Sequence, residues 1–279
     1  MRRYALNPAM PVLLRPDATV QVGWDPRRAV LVHPPAGLTG PALARLLRSM
    51  QDPVTVGDLV ARAGHPEPSR EAVTELLDGL VAAGVVTPSR PPLRSVSVRV
   101  HGRGPLSDLL SGSLRSSGTR VTRSSRRHAV VTTDHTDLVV LADALITDPR
   151  VLRDLHTARV PHLPVRVRDG TGLVGPLVIP GLTSCLACAD LHRSERDAAW
   201  PVLAAQLRHA VTTADRATVL GTAALALTQV EQVLRALREG AGTEGPPPEP
   251  MTLDTTVEFD VGSGSVLTRR WSRHPACGC

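Results

Sequence analysis

The chain has 279 residues, and its 32 basic residues outnumber its 26 acidic ones, which gives a formal net charge of +6. Every basic residue is an arginine, which excludes Schiff-base chemistry and the lysine of a Walker-type phosphate site. Aromatic residues make up only 2% of the chain, so few stacking platforms are available for single-stranded nucleic acid.

The sequence predicts neither a signal peptide nor a membrane span. Met1-Arg2-Arg3 is followed by Tyr4 and Asn7 rather than by an apolar run, and a signal peptide needs such a run. No segment carries the roughly 20 consecutive apolar residues that cross a bilayer. We therefore expect a cytoplasmic protein without a membrane partner, whose cysteines stay reduced and available to a metal.

The first 90 residues predict a winged-helix-like α+β domain. Short β-like runs separated by Pro-Asp and Asp-Pro turns predict a meander, and they cover Pro11–Leu14, Thr19–Val22 and Ala29–Val32. Three helical patterns follow, each preceded by a residue that can cap the first turn: Thr39, Thr55 and Ser69. Gly84 ends the third helix, and residues 85–87 predict a closing strand.

A proline-rich joint at residues 88–92 separates this domain from a second one, residues 91–279. Here strands alternate with helices, which favours a parallel α/β sheet. The predicted strands are Val96–Val100, Arg120–Arg123, Ala129–Thr132, Leu138–Leu141, Val165–Arg168 and Leu177–Ile179; the predicted helices are 106–116, 148–158 and 203–238, the last broken near Thr212. A linker at 240–250 precedes a hairpin of Leu253–Val261 and Ser265–Trp271.

All four cysteines fall into two pairs, Cys185 with Cys188 and Cys277 with Cys279. A two-residue gap lets two thiolates bind one tetrahedral metal, and Gly278 eases the tighter turn of the second pair. A redox dithiol would need only one pair. We therefore predict one structural zinc ion on these four residues, with His192 and His274 as less favoured replacement ligands.

The second candidate site is a glycine loop. Gly102-x-Gly104 follows a predicted strand and precedes a predicted helix, as in nucleotide-binding loops. Pro105 removes one backbone donor from this loop, and Ser107 stands where the third glycine would be. A tight strand-to-helix turn is the competing interpretation. Asp143 follows an apolar strand, where it can hold Mg²⁺ on a nucleotide or cap the next turn.

Several of these segments together resemble a known family. Asp137–Asp143, Val160-Pro161, Gly172–Pro176, Pro180-Gly181 and Cys185-x-x-Cys188 resemble the later half of the ThiF/MoeB family, which has the ubiquitin-activating-type fold. The stretch Cys185–Trp200 and the ending Trp271–Cys279 more specifically resemble actinobacterial ThiF-like proteins, related to cyclodehydratases and leader-binding proteins of azole-peptide pathways.

This resemblance implies ATP-dependent adenylation with Mg²⁺ bound at Asp143, a structural zinc on the two cysteine pairs, and a preceding peptide-recognition domain. The chain departs from the pattern in two ways. Too few residues separate Gly102 from Asp143 for the usual two βα units, and the phosphate-binding lysine is missing. We therefore expect a truncated, degenerate ThiF-like domain in which Gly102, Gly104 and Asp143 are vestigial.

The leading functional hypothesis is a scaffold, rather than an enzyme, that presents a leader peptide to a modifying enzyme. The peptide would add a strand beside residues 29–32, with Val73, Leu76 and Leu80 as the other wall unless they are plain core. The alternative is an active ATP-dependent adenylyltransferase. DNA binding is disfavoured because the third helix carries Glu71 and Glu75. A homodimer could form through residues 203–237.

Overall fold

The protein is described here from a computed structural model, which covers residues 2–64, 68–89, 95–125, 136–208, 210, 214–239 and 249–279. The chain divides into two compact units, Met1–Pro91 and Pro92–Cys279. The division falls within the predicted proline-rich joint. Each unit has its own hydrophobic core.

The first unit contains two small antiparallel sheets and three helices. Its strands are β1 (Arg3–Leu6), β2 (Val12–Leu14), β3 (Val20–Val22), β4 (Val30–Val32), β5 (Val54–Thr55) and β6 (Val86–Ser89), and its helices are α1 (Gly40–Arg48), α2 (Val56–Ala63) and α3 (Arg70–Ala82), with a 3-10 turn at Ser49–Gln51. One sheet has the order β2-β3-β4 and the other β5-β1-β6. The predicted meander is confirmed, whereas β1 and β5 were not predicted. The winged-helix interpretation of this unit stays a prediction.

The three predicted helix caps are confirmed. The side chains of Thr39 and Ser69 accept the N–H groups of Ala42 and Ala72, and Thr55 forms a reciprocal capping box with Asp58. These contacts satisfy backbone donors that the first helical turn leaves free. They fix where each helix begins, so the apolar faces of the helices meet over one core.

That core corrects one detail of the predicted peptide groove. Val73 and Leu80 of α3 are fully buried among the core residues of the first unit, and Leu76 packs partly against them. Val73 and Leu80 therefore stabilise the fold and cannot line an open groove. On the sheet side, Leu31 of β4 is 53% exposed, while its neighbour Val32 is buried.

The second unit is built on a seven-stranded mixed sheet in the order β13-β12-β11-β10-β9-β7-β8. The strands are β7 (Ser97–His101), β8 (Arg120–Ser124), β9 (Leu138–Ala142), β10 (His162–Arg168), β11 (Thr171–Val174), β12 (Thr255–Asp260) and β13 (Ser265–Arg270). The four strands from β8 to β10 run parallel, and the other three are antiparallel. The predicted parallel sheet and closing hairpin are confirmed.

Helices cover both faces of this sheet. They are α4 (Pro105–Ser116), α5 (Pro149–Thr157), α6 (Leu186–Arg196), α7 (Trp200–Leu207) and α8 (Arg216–Glu239). One core contains side chains of α4 and α8 packed on alternate residues of the strands, such as Val98, Leu138 and Val165. A second core lies on the opposite face, where α5 and α6 pack against Val139 and Leu141 of β9.

In this unit one predicted strand is wrong, one helix was missed, and two predicted segments lie wholly or mostly outside the described residues. Leu177–Ile179 is not a strand, because it forms only isolated bridges to His162 and Leu253; the neighbouring strand is β11. Helix α6 was not predicted. The predicted strand Ala129–Thr132 and most of the predicted linker lie outside the described residues. Between Gly102 and Asp143 the described residues hold helix α4 and two strands, β8 and β9.

Among the residues that the structure describes, α8 alone is long and apolar enough to cross a membrane by length and composition. Half of its apolar window is buried inside the protein, where Ala226 and Val230 pack in the core against the sheet. A helix that packs in the core of a protein can have the same length and apolar composition as a membrane-spanning helix. Half of the apolar surface that the sequence offered for a dimer is therefore used within the chain, and the homodimer stays a prediction.

Candidate metal centre and glycine loop

The four cysteine thiols come together at the start of α6. Cys185 caps this helix and Cys188 lies in its first turn, so their side chains share one side of the helix. The Sγ–Sγ distances are 3.7 Å between Cys185 and Cys188, 3.6 Å between Cys185 and Cys277, and 3.4 Å between Cys188 and Cys279. The last two residues of the site reach it from the end of the chain.

This geometry fits a tetrahedral metal. With Zn–S bonds of about 2.3 Å, the sulfur atoms of a tetrahedral site lie about 3.8 Å apart. The four Sγ atoms all lie within 4.8 Å of one another, and none forms a disulfide. Four close cysteines could therefore hold one metal ion, and their all-thiolate donor set favours zinc.

The pKa values of the thiols also favour a bound metal ion. Burial raises the pKa of Cys185 above its ordinary value, and it also raises that of Cys277. Burial opposes ionisation of Cys188 as well, but hydrogen bonds from the backbone of His274 and Cys185 and from neighbouring thiols lower its pKa to about 7. Without a cation the site can carry little negative charge, and a bound divalent metal would compensate for the thiolates.

His192 and His274 lie beside the cysteines but are engaged elsewhere. The Nδ1 atom of His274 accepts the Ala276 N–H at 3.1 Å, so its Nε2 carries the ring proton and donates to Glu195 at 2.8 Å. His192 contacts the Ser272 carbonyl through Nε2 at 3.1 Å. Although these two histidines and Glu195 form a second group that could hold a metal, their hydrogen bonds fasten the C-terminal tail to α6.

The glycine loop, Gly102 to Gly104, meets Asp143 at the carboxyl ends of β7 and β9. Asp143 has a left-handed backbone conformation with φ of +70°. Its Oδ1 accepts the N–H of Leu106 at 2.9 Å, and its Oδ2 accepts the N–H of Ser107 at 3.2 Å. The carboxylate thus caps α4, at the helix terminus where a nucleotide-binding loop would hold phosphate.

Both positions need glycine because neighbouring atoms of the protein leave no room for a Cβ atom. The glycines do not make room for a ligand. A Cβ atom on Gly102 would collide with the carbonyl oxygen of Ala142, and one on Gly104 would lie 2.7 Å from the Asp143 carboxylate. Ser107, at the third glycine position, donates from Oγ to the Gly104 carbonyl at 2.8 Å and accepts its N–H at 3.0 Å. The loop is filled by the protein's own atoms.

Sequence reasoning missed one group of charged residues on the α6 side of the sheet. We call it the arginine cluster: Arg166, Arg168, Arg193 and Arg269. Glu258 accepts from Arg168 at 3.1 Å and lies 3.5 Å from Arg269, and Asp190 pairs with Arg193 at 2.9 Å. Alternation along β10 puts Arg166 and Arg168 on one face, which is the only signal that the sequence offered.

Comparison with known proteins bears on the fold. The sequence matches no protein-family model and no curated protein. The structure of the heterocyclase TruD matches with a TM-score of 0.68 at 17% identity, over 100% of this chain and 42% of that one. A heterocyclase in complex with substrate and cofactor matches with a TM-score of 0.66 at 16% identity, over 100% and 40% of the two chains.

The E. coli protein MccB matches over nearly its whole length. Its complex with ATP has a TM-score of 0.58 at 13% identity, covering 100% of this chain and 99% of that one. Its complex with N-formylated MccA has a TM-score of 0.59 at 13% identity and the same coverage. The chain therefore shares its fold with these heterocyclases and with MccB, as the predicted α/β fold class requires. The chain spans less than half the length of the heterocyclases.

Proposed function

We propose that this protein is a zinc-stabilised, catalytically degenerate ThiF-like scaffold that binds a peptide for a modifying enzyme. The observation that carries the proposal is the position of the Asp143 carboxylate. It accepts the N–H groups of Leu106 and Ser107 at the start of α4. An anionic phosphate would compete with this carboxylate for the same donors.

The lysine and several of the backbone donors that adenylation uses are also missing, which leaves Arg103 as the cation within this loop. Transfer of an adenylyl group requires cations and backbone donors that stabilise the charge developing on the α-phosphate. Pro105 has no N–H group, the next two N–H groups are bound to Asp143, and the chain contains no lysine. These three features together favour a domain that no longer carries out ATP chemistry.

The β2-β3-β4 sheet supports the peptide-binding part of the proposal. Among the described residues β4 pairs only with β3, so one edge of this strand can accept an extended peptide. The exposed side chain of Leu31 is available beside that edge. The heterocyclase and MccB complexes contain substrate or N-formylated MccA, which favours a bound substrate in proteins with this fold.

Calorimetric titration of the zinc-loaded protein with Mg²⁺–ATP tests the scaffold part. We expect no heat of binding for the wild type and none for Asp143→Ala. Binding to the wild type that disappears in Asp143→Ala would contradict the scaffold. Circular dichroism of both proteins before titration ensures that a lost signal reports binding rather than unfolding.

The peptide-binding part is tested separately by affinity capture with the tagged full-length chain. We expect a peptide or its modifying enzyme to co-purify with the wild type and to be lost with Leu31→Asp. Leu182→Asp is the matched control, since Leu182 is an exposed leucine of the second unit. Failure of the wild type to retain any partner, or retention by Leu31→Asp, would remove this part of the proposal.

The second candidate function is an active adenylyltransferase. Its supporting observation is that Gly102, Gly104 and Asp143 do lie together at the carboxyl edge of the parallel strands, in a fold shared with the ATP complex of MccB. ATP–pyrophosphate exchange that depends on Asp143 would establish this activity. We expect the exchange rate to equal the background without protein.

A further inference from the structure

The arginine cluster gathers four cations from three elements onto the α6 face of the sheet. Arg166 and Arg168 lie on β10, Arg193 on α6 and Arg269 on β13. The pairing register places Arg166 opposite Leu173 of β11, and Leu173 opposite Glu258 of β12. Arg166 and Glu258 therefore stand in one row across the sheet, with Arg168 beside them.

The two neighbouring carboxylates are already occupied. Glu258 is held between Arg168 and Arg269. Asp190 accepts from Arg193 at 2.9 Å and from the Trp200 indole N–H at 3.1 Å. Four positive charges thus face two negative ones, which leaves the cluster with a formal excess of two positive charges.

Arg166 is the cation of the cluster that lacks a direct contact with a carboxylate, since Asp190 and Glu258 attract it only through space. Within the described part of the chain its guanidinium forms no hydrogen bond and no ion pair, although the residue is half-buried. Burial, with the nearby charge of Arg193, lowers its pKa to about 10. No nitrogen of Arg166 is among the fully buried side-chain atoms that lack a partner. Its N–H donors are therefore open to water or to an anion, and an anion would also offset the charge that burial disfavours.

The surroundings of Arg166 are fixed but open to solvent. Arg193 stacks between two indoles, with its guanidinium carbon 5.0 Å from the Trp200 ring centroid and 4.9 Å from that of Trp271. This stack holds one side of the cluster rigidly. Arg168 and Arg269 are 43% and 48% exposed, and each keeps N–H groups beyond the one that contacts Glu258.

We propose that the arginine cluster is an oxyanion-binding site anchored by Arg166, and that its ligand is a carboxylate or phosphate group. The planar fork of an arginine side chain matches two oxygens of either group. Arg168 and Arg269 form the solvent-exposed rim. The proposal is independent of the peptide-binding edge at β4 and of the glycine loop.

Titration of the zinc-loaded, full-length protein with inorganic phosphate and, separately, with acetate tests the site. Fluorescence of Trp200 and Trp271 reports binding, since both indoles contact the cluster. Ionic strength is held constant with chloride, so that general screening does not change during the titration. We expect a saturable response to at least one of the two anions, and the stronger response identifies the ligand as a carboxylate or a phosphate.

Two variants distinguish anion binding at this site from nonspecific attraction to the positive charge of the protein. Arg166→Gln should weaken anion binding about tenfold or more, because a charged bidentate contact is lost. Arg153→Gln removes the same charge from an exposed position on α5 and should leave the affinity unchanged. Without added anion, Arg166→Gln should melt at or above the wild-type temperature, whereas loss of a structural ion pair would lower it.

Three results would overturn the proposal. They are no saturable response of the wild type to either anion, an unchanged affinity in Arg166→Gln, and an equal loss in both variants. If Arg166→Gln does not fold, Arg166→Lys keeps the charge and removes the planar fork. Its dissociation constant should then rise about tenfold, and an unchanged constant would likewise overturn the site.

Discussion

At the residue scale, Cys277 and Cys279 link parts of the chain that lie far apart in sequence. Their thiols meet those of Cys185 and Cys188 across separations of 92 and 91 residues. The four thiols come together only in the folded state, so the free energy of metal binding stabilises that state over the unfolded chain. The contribution to stability should therefore be large.

Cys277→Ser is expected to lose the metal and to lower the free energy of unfolding by on the order of 3 kcal/mol. Metal content by atomic emission and thermal melting by circular dichroism measure the two effects. Ala187→Ser is the matched control, because Ala187 is exposed between the first two cysteines. A Cys277→Ser variant with full metal content and unchanged melting would contradict a four-cysteine site.

His162 should make stability depend on pH. It is buried, with Nδ1 3.1 Å from the Val160 carbonyl and no partner for Nε2 among the described residues. Desolvation lowers its pKa to about 4, whereas the unfolded chain titrates near 6.5. Between these values the unfolded state holds more protons, so stability rises with pH across this window and falls as the pH is lowered.

Denaturant unfolding at pH 7 and at pH 4.5, with the free zinc concentration fixed, measures this effect. His162 alone should contribute a loss on the order of 3 kcal/mol by the acid end of the window. His162→Phe should remove that part of the pH dependence, while His33→Phe, at an exposed position, should keep it. An identical pH profile in all three proteins would show that His162 is not the titrating group.

At the element scale, the sequence predicted structure well where the signal was local. Thr39, Thr55 and Ser69 each mark a helix start because the cap contacts N–H groups only three residues further on. The meander was predictable because its turns are short and rich in proline and aspartate. These elements need no information from elsewhere in the chain.

The missed elements depend on distant partners. Strand β1 forms only by pairing with β5 and β6, which lie some fifty and eighty residues further along. Strand β11 lies among Gly170, Gly172 and Gly175, and glycines usually signal loops. Gly172 is nonetheless needed in the strand, because a Cβ atom there would collide with the Thr222 hydroxyl. Local patterns carry no trace of such contacts.

The turn between β7 and α4 gives a prediction that separates packing from helix propensity. A methyl group on Gly102 would collide with the Ala142 backbone, whereas one on Gly112, in the exposed middle of α4, meets nothing within 4 Å. Gly102→Ala should therefore destabilise the protein by about 2 kcal/mol. Gly112→Ala should stabilise it by about 0.5–1 kcal/mol. Chemical denaturation measures the free energy of unfolding of each variant. Changes of the same sign in both variants would contradict this account of the loop.

At the scale of the whole molecule, the two candidate sites differ in how far the sequence could predict them. The metal centre was predictable because cysteines are rare and their pairing is visible as Cys185-x-x-Cys188 and Cys277-x-Cys279. The arginine cluster was not, because arginines are common in this chain and β10, α6 and β13 meet only in the folded sheet. The role of Asp143 was open for the same reason. The sequence offered a metal ligand or a cap of the next turn, whereas the carboxylate caps α4, whose Leu106 lies 37 residues earlier.

The two units should respond differently to removal of the metal. All four cysteines belong to the second unit, and the first has a hydrophobic core of its own. After chelation we expect faster amide exchange in α6, β12 and β13, because the tail no longer holds them together. Exchange in β2, β3 and α3 should stay unchanged.

Hydrogen exchange followed by mass spectrometry, before and after chelation, measures both units in one sample. The zinc-restored protein is the control, and it should recover the original protection in α6. Equal loss of protection in both units would mean that they unfold together and that the metal stabilises the whole chain. Protection unchanged in α6 would mean that hydrogen bonds of the His192–Glu195–His274 group hold the tail without a metal.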